Sequence, residues 1–189
     1  MGMPHSATRW TAAMVRALPE DGNRYEVVDG ELLVTPSPND LHQRAACLLV
    51  QFLDPYVRSL GIGEALLSPA DLELDRHGLV QPDVFVRGLV DGRPARGWNT
   101  GAPLLLVAEV LSPSSARADR TTKRRRFQSA GIPEYWIVDL DARTIERWRP
   151  RDRRPEILSE TITWQPSPDA EPLTLDLPAL FARIHGERL

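Results

Sequence analysis

The chain predicts an α/β fold, a mixed β-sheet flanked by helices, on three observations. Short strand-like runs alternate with two helix-like stretches. One run, residues 103–111, is nearly all apolar, as a strand buried on both faces requires. The order strands, helix, strands, buried strand, helix, strands suits helices packed on the faces of a single sheet. The 189 residues suffice for one domain with a sizeable core. We expect a flexible N-terminus over residues 1–10 and a single domain over 11–189.

Residues 11–18 fit a short helix, stopped by Pro19 and Asp21-Gly22. Tyr25-Glu26-Val27-Val28, Asp29-Gly30 and Glu31-Leu32-Leu33-Val34 read as a hairpin, because Asp-Gly between two apolar-rich runs supplies a two-residue turn. A helix follows Pro38-Asn39-Asp40, with Leu41, Ala45, Leu48, Leu49, Phe52 and Tyr56 forming its apolar stripe and Gly61 ending it. Cys47 lies within this stretch and is expected to be buried. Residues 64–67 and 71–74 are expected strands, and 80–86 is a further strand entered through Pro82. Residues 88–101 are polar and glycine-rich, a loop. After the buried run, Ser112-Pro113-Ser114-Ser115 is a turn and helix cap, and the helix spans 116–130 up to Gly131-Ile132-Pro133. Two strands, 134–139 and 143–149, come next, then weaker strands near 156–164 and 171–175 and a helix near 177–184.

The bulk chemistry narrows the function classes. One cysteine excludes an internal disulfide and a thiolate zinc cluster, and fits a reducing cytoplasm. No run is long enough to span a membrane, and residues 1–5 lack the plan of a signal peptide. The net charge is −3, so any nucleic-acid binding must rest on local patches. Every basic residue is arginine except Lys123.

Two acids stand in unusual places. Glu109 lies near the end of the buried run, where a carboxylate is costly unless paired or bound to a cation. Asp83 follows Pro82 at the start of another apolar strand. If the strands are neighbours, the two carboxylates repel unless a divalent cation lies between them. Oxygen ligands without a cysteine or histidine pair favour Mg²⁺ or Mn²⁺ over zinc. The helix after Glu109 supplies a third group. Its inward stripe is expected to be Ala116, Arg120, Lys123, Phe127 and Ala130, with Asp119 one turn before Lys123. Arg117, Arg120 and Arg124 make this helix basic and are expected to contact phosphate, with a second arginine cluster over 143–154. His42 opens the long helix, and Glu26 or Glu31, with Glu31 preferred, could add a further carboxylate.

Together these residues resemble the Uma2 family of restriction-endonuclease-like proteins. The resemblance rests on Tyr25-Glu26-Val27-Val28-Asp29-Gly30-Glu31-Leu32, His42, Gln81-Pro82-Asp83-Val84 and Val107-Ala108-Glu109-Val110-Leu111-Ser112-Pro113-Ser114. It continues through Asp119, Lys123 and the run from Ala130 to Asp139, covering about residues 11–150. The family looks like a branch of the PD-(D/E)XK nucleases, which implies a restriction-endonuclease-like fold. It implies Mg²⁺- or Mn²⁺-assisted hydrolysis of DNA phosphodiesters. Asp83 and Glu109 are then the metal ligands, helped by the Val110 carbonyl, with Lys123, Glu31 and His42 as further catalytic residues. The superfamily's lysine two positions after the glutamate is replaced here by Leu111, and Lys123 looks like its migrated substitute. The rival readings are a nuclease fold that binds or scaffolds without cutting, and a metal-independent carboxylate pair such as a glycosidase uses. A homodimer through the hairpin over 134–148 is a further expectation.

Overall fold

The computed structural model describes residues 9–98 and 101–187. Residues 1–8 of the expected flexible end, and residues 99 and 100 of the polar loop, lie outside the described residues. Trp10, expected to be loose, is tied down. Its N–H donates to the Gly30 carbonyl (2.9 Å) and its own carbonyl meets His77 Nδ1 at 2.9 Å.

Helix α1 (Ala12–Arg16) is capped by Thr11, whose side chain accepts from the Met14 N–H. Strands β1 (Arg24–Val28) and β2 (Glu31–Thr35) form the expected hairpin. Asp29 and Gly30 both take positive φ, 53° and 86°, as a two-residue turn between twisted strands demands. Helix α2 (Asp40–Ser59) starts at Asn39, whose side chain accepts from the His42 N–H. Its most deeply buried line is Ala45, Leu49, Leu53 and Val57, each fully enclosed. Leu41, Phe52 and Tyr56, expected on the stripe, flank that line and are half-buried. Cys47 corrects the sequence reading, being exposed. It is two residues from both Ala45 and Leu49, which turns it to the opposite side of the helix.

Strands β3 (Gly63–Leu67), β4 (Leu72–Asp75), β5 (Gly78–Val80) and β6 (Val84–Gly88) follow. The single strand expected over 80–86 is two strands in two sheets. β5 belongs to a four-stranded antiparallel sheet of order β2-β1-β5-β4, and β6 to a six-stranded sheet. Pro82 has no N–H to give to a ladder, and the chain changes sheets across it. The larger sheet is completed by β7 (Leu104–Val110), β8 (Tyr135–Asp139), β9 (Thr144–Trp148) and β10 (Glu156–Leu158), in the order β10-β9-β8-β7-β6-β3. β7 is interior, as its apolar run requires, and runs parallel to β8 but antiparallel to β6. The sheet is therefore mixed. β11 (Thr161–Trp164) and β12 (Leu173–Asp176) make a small ribbon before α5 (Leu177–His185).

Helices α2 and α5 cover one face of the large sheet, around Leu49, Leu53, Leu106, Ala108, Trp136 and Phe181. The other face holds Phe85, Val107, Phe127, Tyr135 and Ile137 beneath the third helical segment, with Val28, Leu72 and Val80 of the smaller sheet joining that core. The expected dimer hairpin is interior: Tyr135, Trp136, Ile137, Val138 and Ile145 are buried, and β10 covers the outer side of β9. Its apolar residues thus feed the core instead of a surface.

The helix expected over 116–130 has three parts: α3 (Ala116–Ala118), a π-helical segment (Asp119–Lys123) and α4 (Arg124–Ser129). The Thr121 hydroxyl donates to the Arg117 carbonyl at 2.6 Å, which competes with the backbone for that acceptor. The wider turn moves the inward line from 116, 120, 123 and 127 to Ser115, Asp119, Lys123 and Phe127, all buried. A regular α-helix of 3.6 residues per turn would swing positions spaced by four steadily off one face. The π turn brings them back.

Removing methyl and methylene groups from the α2–sheet core should be costly. Leu49→Ala should destabilise the protein by about 2–5 kcal/mol, whereas Ile157→Ala, at a residue 66% exposed on β10, should stay within about 0.5 kcal/mol. Urea unfolding of both variants checks this, and equal effects would contradict the packing described.

Candidate active site

Four elements meet at the C-terminal end of β7. β1 contributes Arg24 and Glu26, which share a face because side chains two apart in a strand do so. The start of α2 contributes His42, the Pro82 break contributes Asp83, β7 contributes Glu109, and the π-helical segment contributes Asp119 and Lys123. All but Arg24 are buried.

Lys123 is the hub. Its Nζ lies 2.8 Å from Glu26 Oε2, 3.0 Å from Glu109 Oε1 and 3.5 Å from Asp119 Oδ1. Asp83 is held by a different set. Arg24 donates to its Oδ1 at 2.6 Å, the Val110 N–H donates to its Oδ2 at 2.8 Å, and His42 Nε2 lies 3.0 Å from the same oxygen. The two sets touch where the Asp83 N–H approaches Glu109 Oε2 at 3.4 Å. Glu26 fixes the break itself, since its Oε1 accepts from the Gln81 N–H at 2.8 Å. The Tyr135 hydroxyl donates to the Asp119 carbonyl at 3.1 Å and so anchors the π turn to the sheet.

The electrostatics follow from burial. Burial pushes Asp83 up, but the hydrogen bond from His42 and the charge of Arg24 outweigh it and hold the carboxyl well below the usual range. Burial drives Glu109 well above the ordinary glutamate range, against the pull of Lys123, and the neighbouring Asp83 and Asp119 charges add to the rise. Asp119 is raised by burial in the same way. Burial would lower Lys123, yet the Glu109, Glu26 and Asp119 carboxylates override it and keep the ammonium charged beyond the usual lysine range. Four carboxylates (Glu26, Asp83, Glu109 and Asp119) thus surround two permanent cations, Arg24 and Lys123. The cluster has an excess of two negative charges when all four acids are ionised. Neither Asp119 oxygen makes a well-formed hydrogen bond among the described residues.

This composition fits a hard divalent cation. Asp83 and Glu109 bring carboxyl groups to the same place, and a divalent cation there would favour the ionised form of the raised Glu109. Among the described residues no three His, Cys, Asp or Glu side chains converge as a ready-made cage. Magnesium is compatible with that, since it is commonly held by one or two carboxylates and keeps several waters.

The sequence-derived residues divide accordingly. Asp83, Glu109, Lys123 and His42 come together, and Val110 joins through its backbone N–H, which donates to Asp83, whereas its carbonyl was the group expected. Glu31 does not: it is exposed at the start of β2, and Glu26, the alternative weighed against it, takes the place in the cluster. In β1 the side of Glu26 turns inward and is shared with Arg24 and Val28, a period-two pattern readable from the sequence. Arg24 was missed although the same alternation marks it. The basic face is also corrected. Arg120 is spent on Glu146 (2.6 Å) and Asp139 (2.9 Å), and Arg124 stacks on Trp148 with its guanidinium carbon 4.5 Å from the ring centroid. Arg117 alone of the three is exposed without an ion pair among the described residues. Of the second arginine cluster, Arg149 lies at the far end of the sheet, since it follows Trp148, which pairs with Tyr135 at the start of β8, while Arg143 and Arg147 are paired with Glu187 and Glu156.

A mixed sheet with two acids and a lysine at the end of its central strands defines a restriction-endonuclease-like protein. The Uma2 family model, described as "Putative restriction endonuclease", matches residues 12–180, and the chain belongs to that family. A crystal structure from Anabaena variabilis, described as "a putative nuclease belonging to DUF820", shares the fold with a TM-score of 0.74. The two chains are 20% identical, and the match covers 93% of this chain and 99% of the other. No curated protein matches the chain. Among the described residues no helix is long and apolar enough to cross a membrane.

The cluster makes stability depend on pH in a defined direction. Asp83, with its folded value depressed, contributes stability above its unfolded value of 3.8 that is lost as pH falls. Lys123→Met removes the hub and should cost about 3–5 kcal/mol at neutral pH. Glu109 and Asp119, already raised by burial, lose the pull of Lys123 and rise further in the folded state, which then takes up protons, so the deficit should shrink between about pH 8 and about pH 5. Urea titrations at the two pH values test this, and a deficit that ignores pH would contradict the arrangement.

Proposed function

We propose that this chain is a metal-dependent endonuclease that hydrolyses DNA phosphodiester bonds, folded as one domain over residues 11–189. The observation that carries the reading is the buried meeting of Asp83, Glu109 and Lys123 in a cluster where four carboxyl groups face two cations. Asp83 and Glu109 would hold Mg²⁺ or Mn²⁺ together with the Val110 carbonyl. Bound there, the ion supplies Lewis acidity toward the phosphate and a more acidic water. Arg24 and His42 hold the Asp83 carboxylate in one orientation. Lys123 keeps its proton at Nζ and faces the charge that grows on the phosphate oxygens as water attacks. It does not serve as the base, because three carboxylates fix it in the charged form. An exposed free thiol at Cys47 accords with a reducing, cytoplasmic setting.

A second reading has one observation in its favour. Asp83 already takes contacts from Arg24, His42 and the Val110 N–H, and Glu109 from Lys123, so the cluster is internally engaged. That is what a nuclease fold retained for binding or scaffolding would look like.

Two measurements decide between them. Incubation of linear and circular DNA with Mg²⁺, Mn²⁺ or EDTA should give cleavage that EDTA abolishes. Lys123→Arg should stay folded and bind metal by calorimetry, but lose cleavage by about 10²-fold or more, because a planar guanidinium cannot take the ammonium's place. Cleavage near the wild-type rate in that variant would remove Lys123 from the mechanism. Calorimetric Mg²⁺ or Mn²⁺ binding, abolished in Glu109→Ala, with no cleavage of any DNA would favour the scaffold reading.

A further inference from the structure

We infer that the site acts on a single-stranded stretch of DNA, a flap, gap or unpaired end, and not on an intact duplex; this rests on the nuclease reading above. The reacting groups are recessed. Asp83 is 2% exposed, and Glu109 and Lys123 1% each, so a phosphate on the outside of a continuous double helix meets protein before it meets them. A cavity of about 630 Å³ opens beside them, and Arg24 and His42 form part of its lining. Asp83 lies directly behind these two side chains, since both contact its carboxylate.

The walls of this cavity are two short connections. Residues 36–39 link β2 to α2, and residues 111–115 link β7 to α3. Pro36, Pro38 and Pro113 stiffen them by fixing φ, so the opening is preformed. Its volume is that of a pocket closing around one small ligand, not of a trough that seats a rigid duplex. A strand with its bases unpaired can bend a phosphate and its sugar into such a space, whereas a paired one must first be unstacked.

The charge pattern points the same way. A duplex-binding surface neutralises a row of phosphates with a row of cations. Here Arg120, at the rim, is already paired with Glu146 and Asp139, and Asp139 and Asp141 line the same cavity. Arg24, bonded to Asp83 on its inner side, is the other cation of the lining, which also includes Ser112 and Ser114. That set serves one or two phosphates of a threaded strand.

The test compares one labelled strand in three forms: free, as a flap on a duplex, and within a relaxed, covalently closed duplex circle. Each is incubated with Mg²⁺ or Mn²⁺. Cuts confined to the unpaired stretch, at least about tenfold faster than in the closed circle, are expected. Cleavage of the relaxed circle at a comparable rate would overturn the inference while leaving the nuclease reading intact. Cleavage of none of the three would defeat the nuclease reading instead. Fluorescence anisotropy with the free strand and its duplex, in Ca²⁺, then decides the inference by itself. Tighter single-strand binding supports it, and equal or absent single-strand binding overturns it. Ser114→Trp narrows the mouth without touching the acids or Lys123. It should keep the melting temperature and metal affinity and lose single-strand cutting or binding; full retention of both would also overturn the inference.

Discussion

The Lys123 ammonium is the interaction on which the rest depends. It sits where β1, β7 and the π-helical segment converge, and each of these brings it a carboxylate: Glu26, Glu109 and Asp119. Four side chains from three separate parts of the chain are enclosed, and none would tolerate the low-dielectric interior alone. The ammonium makes their burial possible, and the acids in turn keep it charged. Breaking the set strands several charges together, which is why a polar cluster can be as position-specific as an apolar core.

That cluster also explains why the smaller sheet sits where it does. β1 has Val27 and Val28 in apolar cores, but Arg24 and Glu26 on the same strand reach across to Asp83 and Lys123. Glu26 further holds the Gln81 N–H at the sheet-to-sheet crossing. The polar contacts therefore set the position of the smaller sheet over the end of the larger one, while the apolar contacts supply the bulk of the attraction. Asp83 gains its fixed orientation from the same arrangement, with Arg24, His42 and the Val110 N–H each occupying one approach to it.

Local chemistry explains which of these features could be read in advance. The hairpin, α2 and the central position of β7 rest on a turn dipeptide, helical periodicity and a continuous apolar run, and each was legible. The prominence of Asp83, Glu109 and Lys123 was legible because each breaks the pattern around it. Three features were not. The division of the strand at Pro82 depends on which sheet each half joins, a long-range choice. The π turn depends on a Thr121 hydroxyl competing for the Arg117 carbonyl, which helical periodicity averages away. The inward turn of Glu26 and the outward position of Glu31 depend on which side of the hairpin faces the larger sheet, and both acids look alike beside Asp29-Gly30. The arginines misled for another reason: sequence shows their charge but not the acids at Asp139 and Glu146 that consume it.

The Pro82 crossing gives the molecule two regions of unequal resilience. The large sheet is packed on both faces, whereas the smaller sheet is four short strands held to it by three chain crossings, the shared core around Val28, Leu72 and Val80, and the Lys123 cluster. Cooperative units of a protein open at different free energies, and the less densely packed unit opens first. Fraying of the smaller sheet would carry off Arg24 and Glu26 while Glu109, Asp119 and Lys123 stayed with the large sheet and its helix. The cluster would thus come apart on warming while most of the backbone was still ordered, and it would re-form on cooling without refolding from a random coil.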